Sequence, residues 1–306
     1  MSTNTPDSVQ EPETGPPAAH PTPTLRRDDE LSGEHHVYEP HRVGVPPLGT
    51  YLKRLWERRE FAFELSRTKL RAQHFNTVFG QLWLIINPLL LALVYFVLVD
   101  ILRDGSRGSQ FLAHLTAGLF AYYFVSDSVR QASRSVVSAG RLILNTPFPR
   151  VLLPLSAVLT AFKRFLPTVV VYIPIHVLSG LPVGWHLLWV LPLVALFALV
   201  AAGVGMLVAA AQVYFRDLAS FLPYVLRVWL YISPVLYYAQ EVPERYRAIL
   251  FINPLGPPLT AWSEVLNSGH APSGDVLGLS LAWAVVLVVA GALFFVTRER
   301  EFAVRL

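Results

Sequence analysis

Apolar residues in this chain gather into long blocks separated by short charged stretches. Val276 to Thr297 holds no charged side chain and is followed at once by Arg298 and Arg300. Trp185 to Val213 is equally uncharged, Leu82 to Val99 ends at Asp100, and Leu218 to Tyr238 carries one arginine, Arg227. A helix needs about 20 mostly apolar residues to cross a hydrocarbon core of about 30 Å, so these four blocks predict spans. Gln110 to Val129 and Ala161 to Leu178 are charged only toward one end and predict two more. The expected fold is all-α and integral to the membrane, with six transmembrane helices within residues 77–306.

Six spans return both ends of the chain to one side, and the lysines and arginines choose the side. Residues 51–71 hold seven of them, residues 130–164 six, the next connection Arg216, and the C-terminus three. The opposite connections hold two near Asp104, none around Gly180 and two near Arg245. Both termini are therefore expected in the cytoplasm of a multi-pass protein of the plasma (inner) membrane.

Two segments break the pattern. Tyr51 to Phe75 is helical in spacing but too charged to span: Leu52, Leu55, Trp56, Phe63 and Leu70 share a face, with Lys53, Arg54, Arg58 and Arg67 mostly elsewhere. Residues 49–76 read as an amphipathic helix in the inner interface, or as a soluble surface helix. Ile249 to Leu266 is apolar, yet Pro254, Pro257 and Pro258 interrupt it. Broken helix at membrane depth has to be covered by protein or a water-filled cavity, which predicts a pair of short re-entrant helices on the outer side; a plain outer loop is the alternative.

Composition agrees with the membrane reading: of 306 residues, 53% are hydrophobic and 15% charged, and mean hydropathy is +0.45. The polar residues are uneven. Residues 1–48 hold nine prolines and eight acidic side chains against three arginines, and read as a disordered cytoplasmic tail; no basic stretch followed by an apolar run suggests a signal peptide. Residues 49–306 carry 22 lysines and arginines against 13 acidic residues. These cations flank apolar spans and do not form a face, so topology explains them and no nucleic-acid partner is expected. With no cysteine, disulfides, thiolate catalysis and cysteine metal sites are excluded.

Candidate chemistry is sparse. Gly44-Val-Pro-Pro-Leu-Gly49-Thr50 has the glycine spacing of a phosphate-binding loop, but it lacks the lysine and two prolines remove backbone donors. No HExxH, GxSxG or clustered carboxylates occur. No cofactor, metal or catalytic residue is expected. His176 and His186 bracket the Gly180 loop and either share a site or stand apart at the interface. Arg227 lies about three turns, roughly 16 Å, beyond Arg216, and a charge at that depth is either pore-lining or paired within the bundle. Asp127 and Arg130, three apart, are expected to pair, and Lys163 and Arg164 to snorkel inward. Trp83, Tyr95, Tyr224, Trp229 and Tyr231 read either as packing residues or as the lining of a conduit for sugars.

One stretch needs a separate account. NTPFPRVLLPLS, Asn145 to Ser156, sets three prolines, an arginine and a phenylalanine between two apolar segments. It belongs to a series of local sequences: FGQLWLIINPLL from Phe79, GLFAYYFVSDSV from Gly118, RLILNTPFPRVLLPLS from Arg141, YFRDLASFLPYVLRVWLYISPVLY from Tyr214 and INPLGPP from Ile252. In their order and spacing these resemble the type-2 ABC transporter permeases that export cell-surface polysaccharides, over residues 50–300. The resemblance implies that Arg141 to Pro149 is a cytoplasmic coupling helix seated in a cleft of a separate ATPase. Arg141, Leu142, Ile143, Asn145, Pro147, Phe148, Pro149 and Arg150 would dock on the ATPase, with Asn145 and Pro147 ending one helical piece, Phe148 offering an apolar knob and Arg150 pairing with an acidic ATPase surface. On the residues alone, a plain cytoplasmic turn is equally acceptable. Asp217 is expected to cap the helix after the second cytoplasmic connection.

The resemblance further implies a homodimer of six-span permeases with two copies of an ABC ATPase, a conduit between protomers, and gate helices containing Asn253, Pro254, Pro257 and Pro258. The implied cargo is a lipid-linked polysaccharide moved outward. An alanine- and arginine-rich, lysine-poor composition fits a GC-rich genome, which favours cell-wall galactan over O-antigen or teichoic acid. An ABC-2 type drug or small-lipid efflux permease is the alternative, and it should show a lateral apolar cleft. A membrane-embedded glycan-building enzyme is a third reading, for which the outer loops offer no paired carboxylates.

Overall fold

A computed structural model describes residues 48–73, 82–102 and 108–306. The expected disordered tail lies outside these residues, Leu48 apart, as do residues 74–81 and 103–107. Every regular element among the described residues is helical. In chain order they are α1 (Leu48–Glu57), α2 (Arg59–Gln73), α3 (Trp83–Leu102), α4 (Ser109–Ser135), α5 (Gly140–Asn145), α6 (Leu152–Leu178), α7 (Val190–Tyr214), α8 (Leu218–Ile232), α9 (Glu244–Ile252), α10 (Gly256–Ser263), α11 (Gly274–Arg298) and α12 (Phe302–Arg305).

Among the described residues, three helical stretches are long and apolar enough to cross a membrane: Leu152–Leu178, Trp185–Tyr214 and Gly274–Arg305. Ile85–Leu98 and Leu218–Ile232 are shorter apolar helices. The 27-residue α4 is long enough but more polar, and the reason lies in its position. Nineteen of its residues are buried, and it packs against α3, α6, α7, α8 and α10. Its hydroxyls bond back to its own carbonyls, Thr116 to Leu112, Ser128 to Phe124 and Ser135 to Ala132, each at 2.7 Å. Polar groups satisfied in this way need neither lipid nor water.

α7 and α11 approach closely through glycine. A Cβ on Gly203 would overlap the Leu287 carbonyl, and one on Gly291 would overlap the Gly203 carbonyl oxygen. Without a hydrophobic drive between helices in lipid, such small-residue crossings are how backbones gain contact. Pro154 and Pro192 lie in the first turns of α6 and α7, where helices tolerate proline, whereas Pro167 and Pro174 lie inside α6 and Pro223 inside α8. Asp217 occupies the N-cap position of α8, but its side chain makes no capping hydrogen bond; its backbone carbonyl accepts from Ser220 and Phe221.

The N-terminal amphipathic segment is two helices, α1 and α2, with a turn at Arg58 where one helix is expected. Leu55, Leu65 and Tyr51 pack into an apolar cluster with Met206, Val213 and Phe295, and Ala62 and Ser66 are buried. Of the expected apolar face, Leu55 and Leu70 turn inward, whereas Leu52, Trp56 and Phe63 are 60%, 69% and 50% exposed. A helix docked on a bundle needs a protein-facing stripe as well as an outward one. On the outward stripe the Arg59 guanidinium lies 4.5 Å over the Trp56 ring.

Candidate functional site

The connection between α4 and α6 begins with α5. Ile143 is buried and Leu142 half-buried, both against the Phe295 and Phe302 cluster. Arg141, Leu144 and Asn145 therefore project outward, Leu144 at 62% exposure. The helix stops at Asn145: Thr146 is extended and donates its N–H to Leu142, and the chain runs on through Pro147 and Pro149. Phe148 is not an outward knob. Its ring lies 4.8 Å from that of Phe61 in α2, and Arg58 donates to the Pro147 carbonyl at 2.7 Å.

Arg150 likewise differs from the free cation expected. Its backbone N–H donates to the Glu299 carboxylate and its guanidinium to the Glu299 carbonyl. The other carboxylate oxygen accepts from the Tyr51 hydroxyl at 2.6 Å. Burial, with Glu299 beside it, holds the Tyr51 phenol well above its ordinary range, so it stays a donor at neutral pH. Glu299 thereby joins α1, the turn before α6 and the C-terminal segment. Beside it, Tyr214 donates to Glu301 at 2.6 Å, with Arg305 4.4 Å over the tyrosine ring.

A second group of candidates meets between α3, α4 and α8. Leu222, Leu226 and Leu230, four apart, are the buried stripe of α8; Tyr122 donates to the Leu226 carbonyl. That docking carries the adjacent stripe, Pro223, Arg227 and Tyr231, onto a cavity of about 350 Å³, with Tyr95, Tyr123 and Arg130 opposite. Trp83 lines a second cavity of about 380 Å³ against α6, together with Asn87, Asp127 and Arg164. Leu91, Tyr123 and Arg130 line both. Tyr224 is on neither wall and is 65% exposed.

Asp127 binds Arg130 at 3.2 Å, as its spacing predicts, and also Arg164 at 3.7 Å. Arg164, expected to snorkel inward, is held against Asp127 with its side chain 19% exposed. A partly exposed ion pair of this kind contributes about 0.2–1 kcal/mol. The stripe Tyr123, Asp127, Arg130 was open to sequence reading, since spacings of four and three share a helix face.

Trp229 faces away from these cavities. Its indole donates to Asn253 Oδ1 at 2.7 Å, the same oxygen accepts the Leu255 N–H at 3.0 Å, and Asn253 Nδ2 donates to Ser233 at 2.9 Å. Asn253 thus holds the break between α9 and α10. Pro254 follows in the turn, and Pro257 and Pro258 sit in the first turn of α10, where a missing N–H costs nothing. Six of the seven residues from Pro257 to Ser263 are buried. The broken helix is covered by protein, including a Trp262 donation to the Ala117 carbonyl at 3.2 Å.

A third cavity, about 260 Å³ and almost wholly apolar, lies where α4 and α6 meet the start of α7; Phe120, Phe165 and Trp262 line it. His176 closes one side. Its Nε2 is 3.0 Å from the Pro182 carbonyl, which only accepts, so that nitrogen carries the proton and Nδ1 accepts from Tyr172 at 3.3 Å. His186 reaches the same carbonyl at 3.2 Å, so the two histidines meet at one backbone oxygen. Among the described residues no group of histidines and carboxylates is placed to hold a metal.

The fold is thus a helical bundle with membrane-length apolar helices, a polar cavity among them and a short helix, α5, in the connection between α4 and α6. Residues 63–266 match the ABC-2 type transporter family, and the chain belongs to that family. It is similar to the O-antigen export system permease protein RfbA of Klebsiella pneumoniae, 26% identical over 240 residues, 78% of this chain and 92% of that protein. The protein of the same name from Myxococcus xanthus is 27% identical over 82% of this chain and 97% of its own length. The polysialic acid transport protein KpsM of Escherichia coli is 24% identical over 72% and 86%.

Proposed function

We propose that this chain is the membrane permease of an ATP-driven exporter that carries a lipid-linked polysaccharide from the cytoplasmic to the outer face. It works as a homodimer of six-span subunits with two copies of an ABC ATPase, on which hydrolysis occurs. The observation that carries the reading is the cavity lined by Tyr95, Tyr123, Tyr231 and Arg227, in a chain whose relatives are named for O-antigen export and polysialic acid transport. Flat rings with hydroxyls at their edges suit a passing sugar chain, giving it stacking area and adaptable hydrogen bonds.

In this reading α3, α4 and α8 supply the remaining spans beside the three long apolar helices, and both termini face the cytoplasm. Closure of the ATPase pair presses on α5 through Arg141, Leu144 and Asn145. The Arg150 and Glu299 linkage passes the push to α6 and α11, and rigid-body tilting opens the conduit. Asn253 and the prolines around it form an outer gate. Galactan remains the favoured cargo. Depletion of the protein tests the proposal: lipid-bound polymer should accumulate inside cells, and unchanged surface polymer with none retained would refute it.

A second reading, efflux of a drug or small lipid, has the apolar cavity at Phe120, Phe165 and Trp262 on its side. The adjoining cavities, with their arginines and tyrosines, are more than such a cargo needs.

A further inference from the structure

Arg130 and Arg227 line one cavity and Arg130 and Arg164 its neighbour, while among the described residues a single carboxylate, Asp127, lines them. Asp127 is already shared between Arg130 and Arg164. Arg227 has no carboxylate partner among the described residues. The two cavities therefore carry surplus positive charge inside a bundle whose outer surface is apolar. Hydroxyls of Tyr95, Tyr123 and Tyr231 add neutral donors on the same walls. Guanidinium forks with hydroxyls around them match a compact oxyanion bearing more than one charge better than they match a neutral sugar ring.

An apolar surface adjoins this charge. Phe120 and Phe165 line both the cavity holding Asp127 and the almost wholly apolar one beside it. Charged and greasy volumes that share a wall fit an amphiphile: the anion on one side of the two rings, a hydrocarbon chain on the other. A free phosphate would make no use of the second volume.

We propose that Arg130, Arg164 and Arg227 bind the phosphate or diphosphate through which the exported glycan is joined to its carrier lipid. The proposal rests on the polysaccharide-export reading and assigns the residues that recognise the anchor. Arg227 supplies the unpaired charge, Arg130 is released from Asp127 as the anion arrives, and Asp127 keeps Arg164 in place.

The test uses the permease with its ATPase partner in nanodiscs of zwitterionic lipid and measures binding of a long-chain polyprenyl diphosphate by native mass spectrometry. The diphosphate should bind about tenfold or more tightly than the polyprenol of equal length, the effect of one charge-assisted contact. Arg227→Gln and Arg130→Gln should each erase most of that preference, and Arg227→Lys should keep most of it. Arg227 has no ion-pair partner to lose among the described residues, and recovery of each variant in a monodisperse peak checks that the fold is intact. Equal binding of diphosphate and polyprenol, or wild-type preference in both glutamine variants, overturns the site. Competition by inorganic pyrophosphate at the same concentration overturns its reading as a lipid-headgroup site. The probe carries no sugar, so wild-type glycan export with no diphosphate preference sinks this site alone, whereas diphosphate preference without glycan export sinks the polysaccharide reading.

Discussion

Arg150 and Glu299, 149 residues apart, are joined by two hydrogen bonds, one from the arginine's backbone N–H and one from its guanidinium. The turn before α6 is thereby tied to the end of α11, and Tyr51 ties α1 to the same carboxylate. A charge-assisted hydrogen bond contributes about 1.5–3 kcal/mol. Arg150→Ala removes the guanidinium's bond and Glu299→Ala the carboxylate's, so each should lower the thermal stability of the purified protein by about that amount, and the two losses should nearly add. Wild-type melting of both variants would show that the contacts carry no energy of their own.

Phe148 and Leu144 should behave differently, although both lie in the coupling segment. Leu144 is 62% exposed, whereas Phe148 packs on Phe61. Leu144→Glu should abolish co-purification of the ATPase while the permease inserts at its normal level. Phe148→Ala should instead lower permease stability by about 3 kcal/mol or less, as for a partly buried aromatic. The reverse pattern would place the docking knob at Phe148.

Asn253 satisfies three neighbours, the Trp229 indole, the Leu255 N–H and the Ser233 hydroxyl. Asn253→Ala leaves two buried donors unpaired, at about 1–3 kcal/mol each. Trp229→Phe removes one donor together with its need. Melting curves should therefore show a larger loss for Asn253→Ala than for Trp229→Phe; equal losses would mean that ring packing, not the hydrogen bonds, holds the break.

The crossing of α7 and α11 leaves no room at Gly203 or Gly291. Alanine at either position forces the backbones apart, at about 1–3 kcal/mol for an overpacked contact, and should cut the amount of folded protein recovered in a monodisperse peak. Wild-type recovery from Gly291→Ala would contradict the close approach.

The long apolar runs of α7 and α11 were legible because lipid sets a simple rule of length and composition. So was a break ahead of Pro257, since proline is tolerated in the first turn of a helix but not in its interior. α4 was harder to read. It is enclosed by other helices over much of its length, so protein, not lipid, surrounds Thr116, Ser126 and Ser128, and hydropathy undervalues it. The partners of Arg150 and Phe148 could not be read either: Glu299 and Phe61 are distant in sequence, and no periodicity links them. Trp229 illustrates the same limit, because an indole facing Asn253 and one facing a cavity leave the same trace in the chain.

The direct test is reconstitution into proteoliposomes with labelled lipid-linked glycan, with and without the ATPase encoded for the same exporter. Hydrolysis of ATP and outward movement of the glycan should both require the two proteins together, and Leu144→Glu should abolish movement. Phosphate release by the permease alone, or glycan crossing without the ATPase, would contradict its role as the membrane half of an ATP-driven exporter.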